Sequence, residues 1–389
     1  MYELPDSDNA RLALDTIAER PTRGIPTCWK NIMQHGHLER LAGAAAGEYR
    51  RDPQGVYVAA QRAMGVCLCD QFIPTNPLTL GDTGYEGGAD KSATQGAEQI
   101  VIDGMVIDSP EAVVEHLERF VWPAWRRWGE HFNEDDWMRT ALDKEVQTQA
   151  ALGPTILKTG YGLVSFPFMR YYAYGYENYF MAYALYPEVI ERDFAVQADY
   201  NALTNAAAAR LYQEHNLPRI CRLDHDMADS RGTLVGIESL DAIWFPHFVR
   251  ALEPILKTDV RLIWHCDGNL MQMVPRLLDA GIDGFQGFQY EDGMDYAAIC
   301  RMRTRDGRDP IIMAGVSVTT TLPHGSPDDV RREIDFLVEH GPSRGLFLGC
   351  SSSMTPGVPW ENVVALVEGL HYYREHGRSA GTNGKECLT

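Results

Sequence analysis

VRLIW at 260–264, GFQGF at 284–288, IIMAGV at 311–316 and GLFLG at 345–349 are the segments that decide the fold. Each is a short apolar run typical of a strand. Each is followed by a pattern typical of a helix, at 269–278, 295–303, 327–339 and from 359 onward. Four consecutive strand–helix units predict parallel strands with helices packed outside them.

Three further apolar runs, at 66–68, 156–157 and 220–223, are predicted earlier strands. None is followed by the GxGxxG pattern of a dinucleotide-binding sheet. We therefore predict an α/β fold, a (β/α)8 TIM barrel with N-terminal helical decoration. We expect a single domain over 1–389, with helical or loop decoration at 1–60 and 81–150 and the most regular units at 151–376. Within the decoration, Ser109-Pro110-Glu111 predicts a helix start, and 81–107 a surface excursion or hairpin.

Composition and charge exclude several classes of protein. Of the 389 residues, 45% are hydrophobic and 23% charged, which are globular values. A net charge of −19 disfavours nucleic acid and anionic membranes as partners. The N-terminal sequence MYELPDSDN is unlike a signal peptide, and no apolar stretch approaches the roughly 20 residues of a membrane span, so we expect a cytoplasmic protein. Its eight cysteines lack a secreted spacing and are expected to be reduced. The oligomeric state stays open, a homodimer included.

Polar residues follow nearly every predicted strand. In such barrels the loops after the strands converge on one mouth, where the working residues lie. The candidates selected by this rule are Asp70, Asp224-His225-Asp226, His265-Cys266-Asp267, Gln286, Gln289, Ser317 and Cys350.

His265 and Asp267 form the strongest candidate pair. Strand alternation places both on one side and Cys266 on the other, unless a bulge turns it inward. Together with Cys350 they could offer nitrogen, oxygen and sulfur ligands to a catalytic zinc. The alternative is a His and an Asp hydrogen-bonded at a strand end, with Cys350 a small buried apolar residue, and 267–269 a tight turn.

Four short motifs follow one another in the second half of the chain. They are His265-Cys266-Asp267-Gly268-Asn269; Gly281-Ile282-Asp283-Gly284-Phe285 with Gln289; Gly315-Val316-Ser317 with Thr321-Leu322 and Gly325; and Gly349-Cys350 followed by Pro359-Trp360-Glu361-Asn362-Val363. In this order and spacing the sequence resembles the uroporphyrinogen decarboxylase superfamily. The resemblance implies an (α/β)8 barrel and one of two activities, porphyrinogen decarboxylation or zinc-dependent methyl transfer with a corrinoid protein.

The resemblance is closer to the methyltransferase branch. The decarboxylases hold a polycarboxylate with an N-terminal Arg-Gln-Ala-Gly-Arg type motif, but the corresponding stretch here, WKNIMQH at 29–35, contains neither arginine. Their late Gly-His-Gly motif is replaced by Gly349-Cys350-Ser351. Asp70 does match the essential Asp of the decarboxylases.

In the methyltransferase branch, zinc is bound by His-x-Cys and a later Cys. This sequence matches at His265 and Cys350 and carries Asp267 in place of the first Cys. A carboxylate oxygen is a harder ligand than a thiolate sulfur, so this ligand set binds soft metals less well. Asp226 or His225, in a segment that resembles a family Asp-Asp motif, is a candidate to complete the metal shell. The resemblance implies zinc as a Lewis acid, a corrinoid carried by a partner protein, and a small substrate of the methoxylated aromatic or methylamine type.

Two alternative functions remain open at this point. The first is a metal-free decarboxylase or lyase on a small carboxylic acid, with His265 and Asp267 as an acid–base pair and Asp70 orienting the substrate or stabilising a developing cation. The second is a non-catalytic barrel that binds a tetrapyrrole or corrinoid.

A tyrosine-rich segment bears on the substrate. Seven of the 18 tyrosines lie within 171–186, which is consistent with an aromatic lid for an aromatic or quaternary ammonium substrate. A partly buried helix is the alternative. The predicted substrate-binding residues are Tyr171, Tyr172, Tyr176, Asp226, Gln289 and Ser317.

Overall fold

The computed structural model describes residues 2–75, 92–95 and 97–378. The strands are β1 Thr27–Cys28, β2 Val66–Cys69, β3 Val101–Ile102, β4 Met105–Val106, β5 Leu157–Lys158, β6 Gly160–Tyr161, β7 Ile220–Asp224, β8 Ala228–Asp229, β9 Gly232–Thr233, β10 Arg261–His265, β11 Gly284–Gln286, β12 Ile311–Val316 and β13 Leu346–Cys350. Nine of these described strands form one parallel sheet, and β3–β4 and β8–β9 are separate antiparallel pairs.

The parallel sheet closes into a barrel. Its strand order is β5-β2-β1-β13-β12-β11-β10-β7-β6. The two outermost strands, β5 and β6, are separated in the chain by Thr159 alone, so the two edges of the sheet meet. Counted as one staggered strand, they complete an eight-membered ring. The predicted (β/α)8 barrel is therefore confirmed.

Helices surround this ring. They are α1 Asp8–Ile17, α2 His35–Ala42, α3 Glu48–Arg51, α4 Pro53–Ala63, α5 Pro110–His116, α6 Trp122–Glu130, α7 Glu134–Leu152, α8 Tyr171–Tyr174, α9 Tyr176–Leu185, α10 Pro187–Glu214, α11 Ile237–Ile243, α12 Phe245–Leu252, α13 Val274–Ala280, α14 Tyr296–Arg301, α15 Thr321–His324, α16 Pro327–His340 and α17 Trp360–His376. A π-helical turn, Leu117–Val121, joins α5 to α6, and 3-10 turns lie at Ala93–Gln95, Ile255–Lys257 and Tyr290–Asp292.

Local sequence explains where several helices begin. The Ser109 hydroxyl accepts from the Ala112 N–H and Pro110 occupies the first turn of α5, as predicted. Ser326 and Asp329 form a capping box at the start of α16. The helix after β10 begins at Val274 instead of 269, because the Asn269 N–H donates to the carbonyl of Asp229 in the β8–β9 hairpin.

The barrel interior is apolar at its N-terminal end. Leu68, Leu157, Ile220, Ile263, Ile311 and Phe347 pack together there, with Ala10, Ala13 and Ile17 of α1 among them. Helix α1 therefore closes this end of the barrel. The polar end is the opposite one, where the strands terminate.

Other expectations have mixed outcomes. The β3–β4 hairpin lies in the predicted surface excursion, of which 76–91 and residue 96 fall outside the described residues. Strand β1 was not predicted, because two residues carry no periodicity. The seven described cysteines are free thiols, as expected, and Cys387 lies outside the described chain. No helix in the described ranges has both the length and the apolarity needed to cross a membrane.

Candidate functional site at the barrel mouth

Strand register places three polar side chains side by side. His265, the last residue of β10, pairs with Asp224 of β7 on one side and with Gln286 of β11 on the other. Residues in register on parallel strands point to the same face of the sheet. All three therefore face the interior at the C-terminal end of the barrel, where the loops converge.

A cavity of about 220 Å3 lies at this mouth. Its described lining comprises Trp29, Lys30, Asn31, Gln71, Ile73, Arg222, Asp224, His265, Asp267, Gln286, Cys350, Ser352 and Ser353. The volume is below the roughly 300–1,000 Å3 typical of sites for drug-sized ligands. The mouth is therefore sized for a small substrate.

Asp224, Asp226 and His265 form a potential metal-binding group. One ligand atom of each lies within 4.8 Å of the other two. Two carboxylate oxygens and one imidazole nitrogen suit divalent first-row metals such as zinc, cobalt or manganese. We call these three residues the acidic trio.

Neighbouring groups orient each member of the trio. The His265 Nδ1–H donates to the Gln286 carbonyl at 3.1 Å, which leaves the Nε2 lone pair free for a ligand. Oδ2 of Asp224 accepts from Arg222 at 3.0 Å and from the Tyr161 hydroxyl at 3.2 Å. Side chains that bind metals commonly have hydrogen-bond partners of this kind, which fix their orientation.

Asp226 is held in the same way. Its Oδ1 accepts from the Asp267 N–H at 3.2 Å, and its Oδ2 from the Tyr172 hydroxyl at 3.4 Å. Burial raises the pKa of the Asp226 carboxyl, and the nearby His265 opposes that shift. A bound cation would favour the charged carboxylate.

Asp267 supplies the test of whether the site fits a cation. Its Oδ2 accepts from the Ser352 hydroxyl at 3.1 Å, but its Oδ1 is buried without a hydrogen-bond partner. That oxygen lies 3.7 Å from His265 Nε2, too far for a hydrogen bond. A buried carboxylate oxygen with no donor calls for a further positive group, so the residues present fit a divalent metal.

The predicted set of His265, Asp267 and Cys350 is not the one brought within metal-binding distance. Cys350 lines the cavity, but the acidic trio is the sole group of that kind among the described residues. The reason is its place in the ring, since β11 and β12 separate β13 from β10. Burial raises the pKa of the Cys350 thiol to about 12, a shift that a bound cation would oppose.

Arg222 is a central residue of the site that was not predicted. Its buried guanidinium donates to Asp70 Oδ2 at 2.7 Å, to Gln71 Oε1 at 3.1 Å and to Gln286 Oε1 at 3.2 Å, as well as to Asp224. A signal was present, because a single arginine interrupts the apolar run ICRL at 220–223.

Asp70, predicted to act on the substrate, is instead the buried partner of Arg222. Both side chains are almost fully enclosed, and Asp70 is absent from the described lining of the cavity. Its other oxygen accepts from the Gln71 N–H at 2.6 Å. Its position therefore indicates that it acts on the mouth through Arg222.

The tyrosine segment contacts Asp226. Its tyrosines are partly buried and partly exposed, so it has features of both predicted alternatives, an aromatic lid and a partly buried helix. Tyr171 is buried, donates to the Asp226 carbonyl at 2.8 Å, and stacks on Tyr176 and on His225. Tyr172 and Tyr176 are about half-exposed, at 49% and 48%. Tyr171 thus belongs to the core, and the two half-exposed tyrosines are absent from the described lining of the mouth cavity.

Three other predicted residues lie away from the cavity lining. Gln289 accepts a hydrogen bond from the Gly268 N–H. The Ser317 hydroxyl donates to Glu291 at 2.8 Å. Cys266 accepts from the Met227 N–H at 3.2 Å, and burial raises the pKa of its thiol. Cys266 therefore packs on the outer side of the strand end, as alternation predicts.

A larger cavity, about 410 Å3, lies on the outer helices. Its described lining is Ala124, Trp125, Trp128, Ser165, Tyr200, Asn201 and Thr204. No carboxylate, imidazole, thiol or ammonium group is among these described residues. The ionisable groups suited to catalysis gather at the barrel mouth instead.

Comparison with known proteins finds one family model in the second half of the chain. A family model described as uroporphyrinogen decarboxylase (URO-D) matches residues 225–373. This span begins beside the acidic trio and includes His265 and Cys350. No curated protein matches the chain.

Three solved structures are similar to this chain to different extents. A methyltransferase from Methanosarcina mazei is 15% identical with a TM-score of 0.54, over 95% of this chain and 99% of that one. A B12-independent methionine synthase from Shewanella sp. W3-18-1, in complex with selenomethionine, is 14% identical with a TM-score of 0.32, over 46% and 56%. A putative vitamin-B12 independent methionine synthase from Listeria monocytogenes is 12% identical with a TM-score of 0.43, over 92% and 98%. At these identities the first likeness shows a shared fold. The match of the uroporphyrinogen decarboxylase model to residues 225–373 covers the motifs on which the predicted resemblance rests.

Proposed function

We propose that this protein is a metal-dependent methyltransferase that moves a methyl group between a small substrate and a corrinoid carried by a partner protein. The observation that carries the proposal is the acidic trio, which places metal-ligand atoms within 4.8 Å of one another at the barrel mouth. The family match and the methyltransferase fold of the Methanosarcina mazei protein are consistent with it.

The mouth is poorly suited to a porphyrinogen. Arg222 is the one arginine in the described lining, and Asp70 and Asp224 already engage its guanidinium. The segment at 29–35 supplies no arginine for a polycarboxylate. A cavity of about 220 Å3 also favours a substrate smaller than a tetrapyrrole.

Asp224, Asp226 and His265 would hold the metal, zinc or another divalent first-row ion. A metal there supplies Lewis acidity, which lowers the pKa of a thiol acceptor or polarises the atom that carries the methyl group. Arg222 and Tyr161 keep the Asp224 carboxylate oriented, and the Gln286 carbonyl fixes the His265 tautomer. Asp267, beside His265 Nε2, is placed to accept a proton that the substrate releases.

The test is a methyl-transfer assay on metal-loaded protein. Methylcobalamin with a panel of thiols, and cob(I)alamin with methoxybenzoates and methylamines, are followed through the cobalamin absorbance. We expect turnover with one class and a loss of at least about 100-fold in His265→Ala, whereas His340→Ala, an exposed histidine outside the site, keeps full activity. Equal turnover in His265→Ala, or no methyl transfer alongside EDTA-resistant decarboxylation of a small acid, would overturn the proposal.

A further inference from the structure

The larger cavity lies apart from the barrel mouth, between α6, α10 and the loop that follows β6. Its volume of about 410 Å3 is within the roughly 300–1,000 Å3 typical of small-molecule sites. Its described lining shares no residue with that of the mouth cavity or with the acidic trio. The proposed methyl transfer therefore leaves this cavity without an explanation.

Three aromatic side chains form much of its wall. Trp125 and Trp128 lie three residues apart on α6 and so project from the same side of the helix. Tyr200 of α10 meets both indole rings edge-on, at centroid distances of 5.7 and 6.1 Å. Gly129 permits this close approach, because a Cβ there would lie 2.1 Å from Cε1 of Tyr200. Aromatic faces in this arrangement suit a flat ring.

The Trp128 side chain leaves apolar surface in contact with water. It is 43% exposed although it lines the cavity. A ligand seated against it would remove apolar area from water, both its own and that of the indole. The aromatic wall therefore favours an apolar ring over a polar ligand.

An amide in the lining has an unused hydrogen-bond donor. Asn201 is 6% exposed, and its Nδ2 is buried with no hydrogen-bond partner among the described residues. The neighbouring Thr204 hydroxyl donates to the Asn201 backbone carbonyl at 3.0 Å and leaves the side-chain amide unpaired. Unpaired buried donors are unfavourable and rare in native proteins. A ligand that brings an acceptor oxygen gains a hydrogen bond here without displacing an existing one.

The charge around the cavity favours a neutral ligand. No carboxylate, imidazole, guanidinium or ammonium group is in its described lining, so an ion would lose its hydration without meeting an opposite charge. The Arg170 guanidinium lies over the Trp125 ring, 5.5 Å from its centroid. This positive charge already engages the aromatic system that would attract a cation. Carboxylates and quaternary ammonium compounds are both disfavoured.

We propose that this cavity is a second ligand site, which binds a neutral, flat aromatic molecule that carries a carbonyl oxygen. The ring lies against Trp128 and Tyr200, and the oxygen accepts a hydrogen bond from the Asn201 amide. The proposal stands on the cavity alone and does not depend on methyl transfer at the mouth.

The experiment measures the binding of four probes to the full chain by calorimetry or ligand-observed NMR. Benzamide has both the ring and the carbonyl, toluene lacks the carbonyl, cyclohexanecarboxamide lacks the aromatic ring, and benzoate carries a charge. We expect benzamide to bind about fivefold or more tightly than each of the other three, since each lacks one feature that the cavity recognises.

Four variants locate the binding. Asn201→Leu should remove the preference for benzamide over toluene, and Trp128→Ala should weaken the binding of both by about tenfold. Ala124→Trp, at an exposed position of the lining, should fill the cavity and abolish benzamide binding. Phe336→Ala, on an aromatic residue of similar exposure (39%) outside the cavity, is the matched control and should bind benzamide like the wild type. Thermal melts confirm that each variant is folded.

Three results would overturn the site: no binding of benzamide, equal binding of benzamide and toluene, or an unchanged benzamide affinity in folded Ala124→Trp. Tighter binding of benzoate than of benzamide would contradict the neutral class. An unchanged preference in folded Asn201→Leu would remove the amide from the account.

Discussion

Replacement of Asp70 by Asn tests whether the Asp70–Arg222 pair is a buried support for the mouth. The carboxylate accepts from Arg222 at 2.7 Å, and both side chains are at most 3% exposed. Removing one partner of a buried pair costs about 3–5 kcal/mol. In the variant, Arg222 still donates to Asp224 at 3.0 Å and to the side-chain oxygens of Gln71 and Gln286. We therefore expect a loss at the lower end of this range, about 3 kcal/mol.

Urea unfolding followed by circular dichroism measures this change as a lower midpoint with an unchanged slope. Asp241→Asn is the matched control, since its pair with Arg276 is partly exposed and should be worth at most about 1 kcal/mol. A loss below about 1 kcal/mol in Asp70→Asn, together with abolished substrate binding, would refute the supporting role and assign Asp70 to direct substrate contact.

Three further substitutions test the roles of Lys30, His225 and Tyr161. Lys30 is 2% exposed, no carboxylate among the described residues pairs with it, and burial lowers the pKa of its ammonium. Lys30→Met should therefore stabilise the fold near neutral pH by about 1 kcal/mol or more in urea unfolding, and a loss of stability would contradict this cost of burial. Burial lowers the pKa of His225 from 6.5 to about 4. Between these two pH values the unfolded chain is protonated at His225 and the folded protein is not, so the free energy of unfolding should fall by roughly 3 kcal/mol as the pH is lowered across this range. His225→Gln should remove that part of the pH dependence, and an unchanged profile would show that His225 titrates normally. Tyr161→Phe removes a hydrogen bond to Asp224 and should weaken metal binding about tenfold in a competition titration, whereas equal affinity would exclude Tyr161 as a support.

The fold was largely predictable because its signals are local. The runs predicted at 311–316 and 345–349 became β12 and β13, within one residue of their predicted bounds. The carboxyl ends of parallel strands lie at the same end of a barrel, so the sequence alone could place His265 and Asp226 at one mouth. Strand β1 escaped because its two residues, Thr27 and Cys28, are too few to show alternation.

Which residues come together in the site was less predictable, because this depends on where each strand lies around the barrel. Motif spacing suggested that Cys350 and His265 share a metal, but spacing along the chain does not show that two strands intervene. The contact of Arg222 with Asp70 joins residues 152 positions apart.

If Asp224, Asp226 and His265 bind a divalent metal without Cys350, metal titration of the chelator-treated protein will show it, with Zn2+ followed by calorimetry and Co2+ by absorption. We expect one equivalent per chain, at least tenfold weaker binding in Asp226→Asn and His265→Ala, and an affinity within threefold of wild type in Cys350→Ser. The Co2+ spectrum should lack a sulfur-to-cobalt charge-transfer band. Absence of stoichiometric metal, or binding that is lost in Cys350→Ser and shows that band in the wild type, would contradict this set of ligands.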